Sequence, residues 1–534
     1  MPLFKHHILN HRNLYLAGLA VILVSLPLSP FGVSFGTFFI AGNWILEGDF
    51  TGKMRMLRKQ KGLLVFMSAY LLWVAGLWNT ENFSYAFHDL KIKAPLLVIP
   101  LIMGSTAAIK EREFRFLSVL YLLALWAAVI AGFMKKAGIG FSPATDVREM
   151  GVFISHIRLA LMIGVGILLA YELSQSSEHK GRYVFSLISI LLFVVFLVVL
   201  QSMTGIFVLV TLFFTFFVYY IIRLQNNMLK YFLSVLLVMI VLLGIAWISN
   251  ANRKFYTVEP LEQENVDSVT AGGNPYSHNF STKEWENGHY TWICVCDKEL
   301  RQEWNRVSNL DYDSLDRKGN KIKYTLIRYL TSKGLRKDSA AVNQLSPEDI
   351  QAIESGVANV IYTKTFSPYT YYYKWLWELN RYRETGDPSG HSMVQRLVYQ
   401  KTGWEIARDH FFTGVGTGDV QDSFDRYYEK SDIPLAGAWR LRAHNQYLTC
   451  LITFGIFGLL WFLFSFYGPW LMSKRNNLAA VGFMLLAGFS MLWEDTLETQ
   501  AGVYFMVFFY VFIIFAWKPE NQESADHERN KGGQ

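Results

Sequence analysis

Cysteine is nearly absent from this chain, with three in 534 residues, which excludes a fold held by a disulfide framework. Cys450 lies in an apolar run. Cys294 and Cys296 stand two apart in "WICVCDKEL", tight for one metal ion and awkward for a mutual disulfide, so both read as packed thiols. Charge is also sparse: Asp, Glu, Lys and Arg make up 17% of the residues, and the net charge is +7. In a chain that is 52% hydrophobic, this modest basic excess marks cytoplasmic loops of a membrane protein and carries no nucleic-acid signal. No cleavable leader is expected, because the stretch after Lys5 and Arg12 continues into apolar segments without a small-residue cleavage site. Solenoid repeats are missing, as is any similarity between halves of the kind that marks inverted-repeat transporters.

Long apolar runs are what the chain has in abundance. A hydrocarbon core of about 30 Å needs about 20 apolar residues. Runs near 14–29, 31–46, 62–78, 94–109, 114–133, 152–173, 183–200, 204–222, 230–248, 446–470, 478–494 and 499–517 give about twelve spans. Pro30 divides the first pair, and the polar "QSMTG" of Gln201–Gly205 divides the seventh from the eighth. The fold expected is an all-α polytopic membrane protein with one large, mostly helical domain outside the membrane between spans 9 and 10. Its parts are the first nine spans in residues 1–248, the polar domain in 249–445, three spans in 446–517 and a disordered tail in 518–534. Basic residues set the orientation: Lys53, Arg55, Arg58, Lys59 and Lys61, then Lys110, Arg112 and Arg115, then Lys180 and Arg182, then Arg223 and Lys230, then Lys474 and Arg475. With twelve spans all of these share the side of the N-terminus, and only Lys135 and Lys136 oppose them. Both termini are therefore expected in the cytoplasm, and the polar domain outside.

The polar domain has globular character. It carries Trp285, Trp292, Trp304, Trp375 and Trp377, and helical patterns near 297–308, 347–361, 368–384 and 392–410. Ser346 followed by Pro347, Glu348 and Asp349 is a helix start, with a capping hydroxyl, a first-turn proline and acids at the positive end of the dipole. The rings of "SPYTYYYKWLWEL" can pack, anchor at lipid headgroups or stack on sugar rings. Further on, Arg396, Tyr399, Gly403 and Ala407 share one helical stripe. Gly414, Gly416 and Gly418 then force a turn, which is weak as a phosphate loop because no strand precedes it. His444 and Asn445 stand just before the tenth span.

On the outer face the orientation also places Lys91 and Lys93 before the fourth span, and Glu494, Asp495 and Glu498 between the last two. His156 and Arg158 fall at the start of the sixth span, with Arg158 one to two turns inside. A charge inside a span costs roughly 2.5–3.5 kcal/mol, so Arg158 asks for a carboxylate such as Glu494 or Glu498, or for a bound anion.

Arg396 heading its helix, the "TGVGTGD" turn, and "AHNQYL" leading into "FGIFGLL" together resemble the O-antigen ligase and O-antigen polymerase superfamily of bacterial inner-membrane glycosyltransferases. The specific resemblance covers residues 392–465. "ISHIRLALMI", "QSMTG" and "EDTLETQAGVYF" look like the Bacteroidetes-type version, whereas the arginine usual in an "SR"-like segment is absent from "LQSMTGIFVL". The resemblance implies inverting transfer of a glycan from undecaprenyl diphosphate to an acceptor hydroxyl at the periplasmic face, with no cofactor and no metal. The acceptor is lipid A-core oligosaccharide in ligases, another carrier-linked unit in polymerases, and Ser or Thr in protein O-oligosaccharyltransferases. Membrane lipids are the remaining partners, with no nucleic acid. Carried onto this sequence, His444 is the general base or orients the acceptor, and Arg396 and Arg158 neutralise the diphosphate. Glu494 or Glu498 orients an arginine or the histidine, and Arg440, Arg442, Lys91, Lys93 and Asn445 complete the substrate-binding set. A transporter or flippase would instead place ionisable groups at the midplane of broken helices, but here the central thirds of the spans are almost free of charge. A receptor or assembly factor that only binds would leave Arg158 and the acids near Glu494 without a purpose.

Overall fold

The computed structural model describes residues 10–517 apart from 145–146, 176–179, 262–263, 265, 365–366, 432, 436 and 474. Lys5, Lys474 and the tail expected at 518–534 lie outside the described residues. The chain forms two compact units, one of Met1–Lys230 with Gln395–Gln534 and the other of Tyr231–Val394. Polarity divides the sequence at 249 and 445; compactness instead places residues 395–445 with the apolar helices of the first unit.

The first unit opens with α1 (His11–Ser25) and α2 (Pro30–Glu47), an antiparallel pair. Ser29 caps α2 by accepting from Gly32 N–H at 3.2 Å, and Pro30 occupies the first turn, where its missing N–H costs nothing. There follow α3 (Phe50–Lys59), α4 (Lys61–Met67), α5 (Ala69–Ala75), a 3₁₀ turn (Gly76–Asn79), α6 (Phe83–Lys93) and α7 (Pro95–Gly104). The span expected at 94–109 stops at Gly104. At 10 residues α7 is about 15 Å long, half a hydrocarbon core. Leu63 fills the space beside Gly104, where a Cβ would lie 2.1 Å from the leucine's Cδ2.

Next come α8 (Glu111–Ala137), α9 (His156–Gln175), α10 (Lys180–Leu200) and α11 (Met203–Arg223). α9 has 78% of its apolar window buried, so it forms the centre of the unit, packed by α8, α10 and α11. Between α10 and α11 Gln201 turns left-handed at φ 49°, and Ser202 caps α11 through Gly205 N–H at 3.0 Å.

α12 (Asn227–Tyr256) leads into the second unit. None of its apolar window is buried within the protein, a surface that fits lipid rather than water. β1 (Trp285–Glu286) and β2 (His289–Tyr290) pair antiparallel around Asn287-Gly288, both at positive φ as a two-residue hairpin turn requires. α13 (Asp297–Val307), α14 (Ile322–Ser332), α15 (Ser339–Val342) and α16 (Pro347–Glu354) enclose a core of Trp304, Tyr312, Ile322, Tyr329 and Ile353. Ser346 and Asp349 cap α16 reciprocally at 3.2 and 3.0 Å. The helix expected to reach 361 stops at Glu354, because Gly356 takes φ 75° and buried Asn359 starts a separate 3₁₀ turn. α17 (Pro368–Thr385) closes this unit. Cys294 and Cys296 are free thiols, the latter buried.

The chain returns through α18 (Ser392–Asp409), α19 (Val420–Lys430), α20 (Gln446–Ser473), α21 (Leu478–Trp493) and α22 (Gln500–Val511). α20 kinks at Gly455, where φ is 67°. α14 and α19 had no counterpart among the expected helices. Among the described residues, seven helices are long and apolar enough to cross a membrane: residues 61–79, α8 to α12, and α20. α1, α21 and residues 500–516 are shorter apolar helices. The architecture is that of an all-α, multi-pass membrane protein.

Candidate functional site

The turn before α20 and the loop between α21 and α22 are tied together by one carboxylate. Asp495 accepts from the backbone N–H of His444 at 2.9 Å, from that of Asn445 at 3.0 Å, and from Thr449 Oγ1 at 2.8 Å. His444 consequently sits at φ 48°, a left-handed conformation that costs about 1–2 kcal/mol outside glycine and asparagine. Asn445 caps α20 by accepting from Leu448 N–H at 3.0 Å. The imidazole therefore leaves the backbone at a fixed angle.

Glu494, beside Asp495, bridges two of the sequence candidates. Its Oε1 accepts from Arg396 Nη2 at 2.6 Å, and its Oε2 faces His444 Nδ1 at 3.6 Å, an ion contact longer than a hydrogen bond. Arg396 reaches the loop from the first turns of α18, whose Tyr399 and Ala407 are buried on the same stripe. The Tyr399 ring lies 5.7 Å from the imidazole and holds it from one side.

Glu498 centres a second network. Its Oε2 accepts from Lys93 Nζ and from Arg442 Nη1, both at 3.0 Å, and its Oε1 accepts from Gln446 Nε2 at 3.2 Å. Lys93 also pairs with Asp89 and lies 5.2 Å from the Trp73 ring centre; Arg442 lies 4.8 Å above Tyr85. Burial raises all three loop carboxyls. At Glu494 the His444 and Arg396 contacts outweigh it and leave the group below its ordinary value. Lys93 and Arg442 do the same for Glu498, while Asp495, buried and beside Glu498, is held above its ordinary value.

Three buried nitrogens here have no hydrogen-bond partner among the described residues: Arg396 Nε, Arg442 Nη2 and His444 Nδ1. An unmade buried hydrogen bond costs about 1–3 kcal/mol, more for a charged group, and such groups are rare in native proteins. Of the three, His444 Nδ1 faces the Glu494 carboxylate, and the two guanidinium nitrogens face no acceptor among the described residues.

Other candidates fall differently. Arg158 lies in the first turn of α9 rather than one to two turns inside it, because the helix begins at His156. Its guanidinium donates to Thr499 Oγ1 at 2.7 Å and Ser155 Oγ at 3.4 Å, hydroxyls in place of the carboxylate expected from Glu494 or Glu498. Thr499 nevertheless brings Arg158 to the same loop. Lys93 is fully buried, whereas Lys91 is exposed. Arg440 turns to Leu435 O at 3.4 Å and Glu429 at 3.8 Å, away from the acidic loop.

Every backbone N–H from Gly414 to Gly418 donates within the protein: to His410 O, Ile452 O, Thr453 O, Gly76 O and Thr80 Oγ1 respectively. No N–H is left to cradle a phosphate. The glycines serve close approach instead, since a Cβ on Gly414 would meet Thr453 O at 2.2 Å and one on Gly416 would meet Asn79 O at 2.3 Å. Sequence reading gave no role to Asp495, Asp89, Tyr85, Gln446 or Thr499. Only the spacing of Asp89 and Lys93, one helical turn apart, signalled a pair in advance.

No curated protein matches the chain. Residues 353–463 match the family model described as O-antigen ligase. That segment holds Arg396, the glycine turn, Arg442 and His444, and ends before the acidic loop. With the remainder a helical membrane protein, the matched segment is similar to the O-antigen ligase family.

Proposed function

We propose that this protein transfers a glycan from undecaprenyl diphosphate to a hydroxyl of lipid A-core oligosaccharide at the periplasmic face of the inner membrane, with both termini cytoplasmic. The observation that carries the reading is the pair of unpaired buried guanidinium donors, Arg396 Nε and Arg442 Nη2, beside His444. A diphosphate supplies the acceptor oxygens and the negative charge that these groups lack.

The acceptor oxygen attacks the anomeric carbon from the face opposite the diphosphate. The new C–O bond forms as the bond to the diphosphate oxygen breaks, and undecaprenyl diphosphate departs with the electron pair, so configuration inverts. The acceptor proton passes to His444. With Nδ1–H directed at Glu494, the imidazole keeps Nε2 free as the base. Arg396 Nε, Arg442 Nη2 and Arg158 stabilise the charge that grows on the leaving diphosphate, and Glu494 and Glu498 hold two of these guanidiniums before the reaction begins. Lys93, fully buried between Asp89 and Glu498, positions Glu498 and does not touch substrate.

Purified protein supplied with carrier-linked glycan and core oligosaccharide tests the reading. Covalent transfer supports it; movement of the donor across vesicles without transfer supports a flippase and defeats it. In a deletion strain, long carrier-linked chains accumulate for a ligase, whereas single repeat units accumulate for a polymerase.

A further inference from the structure

The second unit contains a cleft of about 760 Å³, bounded entirely by residues between Phe255 and His391. Most of its wall precedes residue 353, where the family match begins. Besides the buried Phe255, four aromatic side chains line it with part of their surface open: Trp285, Trp292, Tyr324 and Trp377. None is sealed in a core, and Tyr324 is 48% exposed.

The cations of the wall are already matched, Lys323 by Asp297 at 2.6 Å. Glu284 accepts from Trp292 Nε1 at 2.8 Å and from Arg381 Nη1 at 2.9 Å. Glu286 accepts from Arg328 Nε at 2.7 Å, and the Arg328 guanidinium lies 4.8 Å from the centre of the Trp377 ring. His391 meets the Trp377 ring edge-on at 5.7 Å. These contacts fix the rings and cancel the charge, so a phosphate or sulfate would find no surplus cation.

Rigid aromatic faces beside fixed carboxylates, guanidiniums and amides suit one ligand chemistry. A sugar ring offers an apolar C–H face, slightly positive, to the negative face of an aromatic ring, while its hydroxyls donate to carboxylates and accept from guanidiniums and amides. The cleft volume lies within the ordinary range for ligand pockets and fits a few linked sugar rings. We infer that this cleft binds a neutral oligosaccharide segment of the transferred or receiving glycan. The inference rests on the proposed transfer function and adds a recognition site to it.

The probe is the neutral oligosaccharide released by mild acid from the producing cell's own surface polysaccharide, titrated against the full-length protein in detergent. The three cleft tryptophans report binding through intrinsic fluorescence. The expected result is a saturable change, weakened about tenfold in Trp377→Ala and little altered by salt. Asn380→Ala, on the cleft wall and away from the core, weakens binding without threatening the fold. In the transfer assay both variants raise one KM and leave kcat unchanged; a raised donor KM assigns the cleft to the transferred chain, a raised acceptor KM to the receiving one. Absence of saturable binding at millimolar oligosaccharide, with both KM values unmoved, overturns the inference while leaving transfer intact. Binding without any transfer overturns the proposed function and leaves the cleft standing.

Discussion

Replacing Glu494 by glutamine keeps the side chain's volume and one oxygen for Arg396 but removes the charge that faces His444. At 3.6 Å, a carboxylate and an imidazolium attract by about 4–5 kcal/mol at an effective dielectric constant of about 20. The two side chains are 20% and 27% exposed, so solvent leaves roughly half of that, about 2 kcal/mol. The charge-assisted bond from Arg396 also becomes a neutral one, at a cost of about 1 kcal/mol. In the proposed mechanism the acceptor proton creates the imidazolium during the reaction, so the loss falls on kcat, about 100-fold in all. The assay is glycan transfer by purified wild type and Glu494→Gln at equal folded concentration, with kcat and donor KM measured separately. A glutamine variant within threefold of the wild-type kcat refutes the assignment of Glu494 to the base.

Asp495→Asn replaces an acceptor with a donor opposite the N–H groups of His444 and Asn445; it should cost about 1–3 kcal/mol, read as a lower melting temperature with parallel loss of transfer. Gly416→Ala should reduce folded protein more than any of these, by about 3 kcal/mol or more, since its Cβ would overlap Asn79 O at a φ of 97°; abundance in membranes is the readout. Arg158→Ala should raise donor KM and lower kcat while thermal stability changes by under about 1 kcal/mol, because only hydroxyl contacts are lost. The folded value of Glu494 lies below its unfolded one, so its stabilising contribution is full above the ordinary carboxylate range and disappears as pH falls through the lowered value. Unfolding measured between about pH 6 and pH 3 should therefore lose part of its acid dependence in Glu494→Gln.

The legible parts of the fold were those set by local chemistry. Pro30 and Gln201–Gly205 break the helices because a missing N–H and a left-handed residue cannot continue them. Ser346 starts α16 for the reason its sequence suggested. What local pattern could not show was how far a helix runs once tertiary packing decides. α7 ends at Gly104, short of the expected span, and α9 starts at His156, so Arg158 stands in the first turn of its helix. For the site, the sequence supplied the residue types, and the structure brings Arg396, Glu494 and His444 together and joins Arg158 to the same loop through Thr499. It could not supply the pairing, because partners such as Arg396 and Glu494 stand 98 positions apart. Nor could it separate Lys93, sealed between two carboxylates, from the exposed Lys91, or turn Arg440 outward while Arg442 turned in. The clamp role of Asp495 had no signature, since any of three neighbouring acids could have held the histidine.

The central claim is tested most directly by His444→Asn in a purified system with carrier-linked glycan and core oligosaccharide. Asparagine tolerates the left-handed backbone at this position, so the fold and the Asp495 clamp remain while the base is removed. The account predicts an unchanged melting temperature and a fall of about 10²–10⁴-fold in glycan joined per enzyme per second. Transfer at the wild-type rate by this variant would contradict it.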